Sequence, residues 1–255
     1  MKIVPCLAAL VLLVGCSAPE AGTITATSPS VASGTPGPSV NGWATTQEFA
    51  RAVLEDHDFD AAEKYVAPSS PAARFLEFRR TEFDAMVSAG RGRDYLGVSG
   101  VAYDETSGTV SFDLNRARVP VEWKDFEIDS AGRLITWSID SSKTSLADRL
   151  ATKRARGSTK DADVQLVGAY RDEDALSVIL NVRAKDRSLS SGTVVLIDSK
   201  NRQREGAVVG PKQVLKGTWA YVVVRFANAD LGGTVRYPIK GSRSSDLGSI
   251  NLNIG

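Results

Sequence analysis

The sequence predicts two folded parts in tandem: an α+β part, with helices packed on one face of a curved antiparallel sheet, and then an all-β sandwich. Three observations carry this. Apolar residues recur at helical spacing up to about Ser88, as in Phe75, Leu76, Phe78, Phe83, Met86 and Val87. From Tyr95 the period drops to two, as in Val110, Phe112 and Leu114. From Asp163 onward every segment is strand-like, with turn residues between short apolar runs. A chain of 255 residues, 42% of them hydrophobic, has material for two cores.

A different kind of segment precedes both parts. Lys2 supplies a positive start and Ile3 to Val14 an apolar run. That run is about a dozen residues, short of the ~20 that cross a bilayer core. It closes on Leu13-Val14-Gly15-Cys16, with small residues just ahead of the cysteine. Residues 1–15 therefore read as a cleaved signal. Residues 16–42 are rich in Ser, Thr, Ala, Gly and Pro, without hydrophobic period, and read as a disordered tether. Such a coil spans roughly 25–30 Å on average and ~85 Å at full stretch.

The α+β part is expected over residues 43–141. Thr45 or Thr46 is the expected N-cap of a first helix carrying Phe49, Val53 and Leu54. A short helix holds Ala61, Ala62, Tyr65 and Val66, and Pro68 ends it. The next helix runs from about Pro71 to Ser88 and stops at Gly90 and Gly92. Four strands follow: Tyr95 to Tyr103, Thr109 to Asn115, Arg118 to Ile128 with a bend near Lys124-Asp125, and Arg133 to Asp140. Ser130-Ala131-Gly132 makes the last hairpin turn. Helices followed by a meander give an α+β layer pair.

Residues 142–161 form a basic stretch with Lys143, Arg149, Lys153, Arg154, Arg156 and Lys160. It reads as a solvated linker, with contact to anionic lipid or cell-wall polymer as the other reading. Residues 162–255 give about seven strands: Val164–Tyr170, Ala175–Ala184, Gly192–Asp198, Gly206–Val209, Thr218–Phe226, Val235–Pro238 and Ser249–Ile254. The run Ala220 to Phe226 is apolar on both faces and should be central.

Chemistry is sparse. Cys6 and Cys16 are the two cysteines, so without the signal the chain has no pair to bridge, and its cores must hold it together. The formal charge is +1, and losing Lys2 leaves the chain neutral, which argues against bulk nucleic-acid binding. His57 is the one histidine, among Asp56, Asp58 and Asp60, and reads as a turn residue. Asp58 and Asp60 mimic two calcium-loop positions without the glycine or glutamate that would complete the loop. There is no Gly-x-Ser-x-Gly elbow and no phosphate loop. Asp84 with Tyr65, Tyr95 or Tyr103 would be needed for acid–base work; the tyrosines read as packing residues and Asp84 as an ion pair with Arg80. Trp43, Trp123, Trp137 and Trp219 read as core, with glycan binding as the other reading. No catalytic residue, cofactor or metal ligand is assigned.

Three segments resemble known families. Leu13-Val14-Gly15-Cys16 resembles a bacterial lipoprotein signal. That resemblance implies a diacylglyceryl group on the Cys16 thiol and a lipid-anchored position on the extracytoplasmic face of the cell membrane. Phe126-Glu-Ile-Asp-Ser-Ala-Gly-Arg-Leu-Ile-Thr-Trp137 resembles the final hairpin of the nuclear transport factor 2-like (cystatin-like) superfamily. Leu54-Glu-Asp-His-Asp-Phe-Asp-Ala-Ala-Glu-Lys-Tyr-Val-Ala-Pro68 is similar to the turn between its first two helices. Those matches imply a cone, a curved sheet wrapped around helices, with the apolar pocket used by ketosteroid isomerases and polyketide cyclases. Leu176 to Arg183 and Val195 to Asn201 resemble an immunoglobulin-like domain of bacterial lipoproteins, without the inter-sheet cysteine pair of antibody domains. The Gly, Ala, Arg and Asp usage and the pairing of parts resemble actinobacterial lipoproteins. The expected function is a non-enzymatic interaction or scaffolding module at the cell envelope, whose partner is an envelope protein or a glycan. The alternatives are a small-molecule carrier or sensor using the cone pocket, and an isomerase- or cyclase-like enzyme there.

Overall fold

The computed structural model describes residues 40–91, 97–114, 120–139, 144–151, 154–190, 192–241 and 245–255. The expected signal, Cys16 and the tether up to residue 39 lie outside the described residues, as does Tyr95. Among the described residues no helix is long and apolar enough to cross a membrane.

Helix α1 (Val40–Arg51) continues as a π-helical turn over Ala52–Asp56. It begins ahead of the expected start, so neither Thr45 nor Thr46 caps it. Thr46 is fully buried inside the helix and its hydroxyl donates to the Gly42 carbonyl at 3.1 Å, the local bond an interior threonine uses. Helix α2 (Phe59–Glu63) is capped by Asp58, which accepts from the Ala61 N–H at 2.9 Å.

Helix α3 (Pro71–Ser88) spans the expected range. Ser70 accepts from the Ala73 N–H at 3.1 Å and Pro71 stands in the first turn, where no donor is needed. Gly90, at φ +72°, donates to Val87 O and Arg91 donates to Met86 O, a Schellman ending. Val87, read as an apolar core position, is instead 48% exposed, because it lies in the last turn beyond the sheets that cover the helix.

The first sheet holds β1 (Val98–Asp104), β2 (Thr109–Leu114), β3 (Pro120–Ile128), β4 (Leu134–Ile139) and β5 (Thr144–Ser145), antiparallel and in chain order. The expected bend in β3 is a bulge between Lys124 and Glu127, with Asp125 at φ +53°. Asp129 closes the β3–β4 hairpin by accepting from the Ala131 and Arg133 N–H groups, both at 2.9 Å. Trp123, Trp137, Phe49 and Phe75 fill the space between sheet and helices, with ring centroids 5.3 to 5.6 Å apart for Phe75 on both indoles and 4.8 Å between the indoles.

The basic stretch is folded where it is described. It supplies β5, a 3-10 turn over Leu146–Arg149 and an edge strand β6 (Arg156–Ser158). Leu146 and Leu150 are buried in the first core, which a free linker would not achieve. Gly157 packs where a Cβ would stand 2.2 Å from the Ile250 side chain.

Two further antiparallel sheets follow. Their strands are β7 (Ala162–Arg171), β8 (Ala175–Ala184), β9 (Leu189–Ser190), β10 (Val195–Ile197), β11 (Gln203–Glu205), β12 (Ala207–Val209), β13 (Gln213–Val214), β14 (Trp219–Ala227), β15 (Thr234–Gly241) and β16 (Asp246–Asn253). One sheet runs β12-β14-β8-β7-β6; the other runs β11-β10-β15-β9-β13, with β16 on β15. Leu176, Val178, Leu180 and Val182 of β8 share a core with Val235, Tyr237 and Ile239 of β15. The opposite face of the β8 sheet contributes Ile179 and Val223, with Tyr170, to the core of Trp123 and Phe75. Helix α3 touches β7, β8 and β14 as well as β4. Gly168 permits this approach: a Cβ there would come within 3.1 Å of Phe78. The expected central strand, Ala220 to Phe226, sits between β12 and β8 and is buried on both faces over Val222 to Val224.

Candidate functional site

One cleft gathers five charged side chains, Arg79, Glu82, Asp172, Glu173 and Arg225. Its floor is Phe75, Trp123 and Ile139 of the first core; its rim is Arg79, Glu82, Tyr170, Asp172, Glu173 and Arg225. The register explains the convergence. Tyr170 stands opposite Ser177 on β8, and Ser177 opposite Arg225 on β14, so all three point at the helix side of the sheet.

The charges pair off. Arg79 meets Glu82 at 2.7 Å, one turn apart on α3, with Glu82 almost completely buried. Arg149, also buried, meets Glu173 at 2.5 Å. Arg225 reaches Asp172 at 3.0 Å and Asp174 at 3.3 Å. Burial pushes the Asp172 carboxyl up to about 6; the Arg225 guanidinium opposes the shift and the neighbouring Asp174 carboxylate adds to it. Burial also raises the Tyr170 phenol. The Trp123 Nε1–H and the Ser177 hydroxyl are buried with no hydrogen-bond partner among the described residues. The open space is about 30 Å3, room for a water or two and not for a sugar or steroid.

The residues singled out in the sequence fall elsewhere. Cys16 lies outside the described residues. His57 ends the π-helical turn in the left-handed region, φ +54°, and its N–H donates to Ala52 O. Its ring packs on Phe83, with centroids 5.6 Å apart, and Nδ1 lies 3.2 Å from Val53 O. Asp60 pairs with Arg80 at 3.0 Å, and Arg80 also meets Glu63 at 3.2 Å, so Arg80 ties α3 to α2 rather than serving Asp84. Tyr65 is half-buried under Lys64. Tyr103 bonds the Glu55 carboxylate, and its phenol is raised by burial and by that carboxylate. Trp43, Trp123 and Trp137 are core; Trp219 is 42% exposed.

The cleft residues were not marked in the sequence as a group. Asp172-Glu173-Asp174 reads there as a turn and Arg149 as part of a linker. One signal exists: Arg225 interrupts Val222-Val223-Val224 and Phe226 in a strand otherwise built for burial. No family model, curated protein or solved structure matches the chain.

Proposed function

We propose that the protein is a lipoprotein held through Cys16 on the extracytoplasmic face of the cell membrane, where it acts as a non-enzymatic interaction module. The observation that carries this reading is Leu13-Val14-Gly15-Cys16 at the end of an apolar run too short to span a bilayer. In this reading the helices on their antiparallel meander are a cystatin-like cone, and the two sheets behind them an immunoglobulin-like sandwich. The close packing of Trp123, Trp137, Phe49 and Phe75 favours a scaffold over a carrier, since the cleft over this aromatic core is about 30 Å3. Around that cleft Arg149–Glu173 ties the 3-10 turn to the β7–β8 turn, Arg225 ties β14 to the same turn, and Arg79–Glu82 pairs within α3, so these ion pairs have structural work to do.

Cys16→Ser tests the anchor. The wild-type chain fractionates with membranes and incorporates a labelled palmitate analogue; the variant loses the label and leaves the membrane fraction or remains unprocessed. Equal membrane content at equal mature mass would overturn the proposal.

A further inference from the structure

Helix α3 covers only part of the β8 sheet. Beyond Ile179 and Val223 the same face continues into solvent. On β14 it presents Trp219 and Tyr221, 42% and 41% exposed, the two most open aromatic side chains described. Trp219 stands opposite Arg183, and Tyr221 opposite Asn181. Asn181 faces Gln165, and Gln165 faces Arg156 on the edge strand. The Arg183 guanidinium lies 5.8 Å from the Trp219 ring centroid, which fixes the indole beside it.

We propose that this open face binds a short stretch of an acidic polysaccharide. A pyranose ring has a C–H face and a rim of hydroxyls. The Trp219 and Tyr221 rings suit the first, and the amides and guanidiniums of the adjoining strands suit the second with both donors and acceptors. The spacing fits: strands are about 4.8 Å apart and alternate residues about 6.7 Å, so four strands and two rows cover roughly 14 by 7 Å. That is two or three sugar rings, and far below the ~800 Å² per partner of a stable protein interface. Charge selects an acidic sugar. Asp163 on this face is taken by Lys185 at 2.6 Å and by the Ser158 hydroxyl at 2.7 Å. Arg183 and Arg156 have no carboxylate at ion-pair distance among the described residues. A membrane surface is the poorer match, because both rows mix the aromatics with amides and ions.

The inference rests on the reading of the chain as an interaction module and names its partner class; it does not depend on the lipid anchor, so the fate of Cys16→Ser leaves it unchanged. The test uses the full chain with 15N-labelled tryptophan, titrated with trigalacturonate, a heparin tetrasaccharide or neutral maltotriose. The expected result is a saturable shift of the Trp219 indole alone, with an acidic oligomer bound at least tenfold more tightly than maltotriose. The three buried indoles stay fixed and report an intact fold. Trp219→Ala abolishes the binding, and Arg183→Gln with Arg156→Gln removes the preference for acid. No Trp219 shift with any sugar at millimolar concentration overturns the proposal, as does equal binding of acidic and neutral oligomers. A Trp219 response to phosphatidylglycerol vesicles and to no sugar overturns it in favour of a membrane surface.

Discussion

Glu82 sits on α3 with 1% of its surface exposed, and the Arg79 guanidinium one turn earlier makes that tolerable. A buried carboxylate left alone is far more costly than an apolar residue in its place. Arg79→Met should therefore lose about 3–5 kcal/mol of stability, and Arg79→Met with Glu82→Leu should recover most of it. Urea unfolding of the two variants measures this; equal losses would show that the guanidinium packs rather than pairs. Asp172 behaves differently. Its folded carboxyl titrates near 6, above the ordinary carboxylate range, so the folded state holds the proton more tightly than the unfolded chain. The stability this gives is complete below about pH 4 and lost as pH rises through about 6, an effect on the order of 1–3 kcal/mol. Asp172→Asn should flatten the stability profile between pH 4 and 6. Asp104, Asp129, Asp163 and Asp198 have carboxyls lowered by hydrogen bonds, so their contribution is lost only as pH falls below the ordinary range. The two windows are separable in one series of melts.

At the scale of elements, legibility in the sequence followed how local the determinants are. Helix α3 has its cap at Ser70-Pro71 and its stop at Gly90, all within the segment, and both ends are where the sequence puts them. The bulge in β3 was marked by Lys124-Asp125, and β8 by an apolar run over Ala175–Ala184 between turn residues. By contrast β9 and β13 are two residues long and exist only because distant strands pair with them. No local pattern marks such pieces. The same reason hid β6: Gly157-Ser158 looks like linker composition, yet glycine is required by the Ile250 side chain against it. Gly157→Val should cost about 1–3 kcal/mol through overpacking. A thermal melt of that variant indistinguishable from wild type would mean β6 can move aside. The polar cleft was illegible for a related reason, since Arg79, Arg149, Tyr170 and Arg225 come from four separate elements.

At the scale of the molecule, the described residues from Val40 to Gly255 belong to one compact unit. The first core is not closed by its own helices and sheet. Tyr170, Ile179 and Val223 supply one of its walls, and Tyr170 stacks edge-on to Phe75 with centroids 5.2 Å apart. The helical part and the strands behind it should therefore unfold in one transition. Near-ultraviolet signals from Trp123 and Trp137 should disappear at the same denaturant concentration as the far-ultraviolet strand signal. A chain ending at residue 161 should expose that wall and aggregate or stay molten. Two resolved transitions would mean that the shared wall contributes little.

Arg225 has one more consequence. The centres of β8 and β14, Val178 to Leu180 and Val222 to Val224, are aliphatic on both faces, so shifted pairings there would bury similar area. A slip of one residue would carry Arg225 into the dry interior behind Leu176 and Val178, and take Trp219 and Tyr221 with it. A single cation, wanted on one side of the sheet and forbidden on the other, thus acts as an index mark. It penalises every slip of the two central strands by an odd number of residues while the chain is still choosing among alignments.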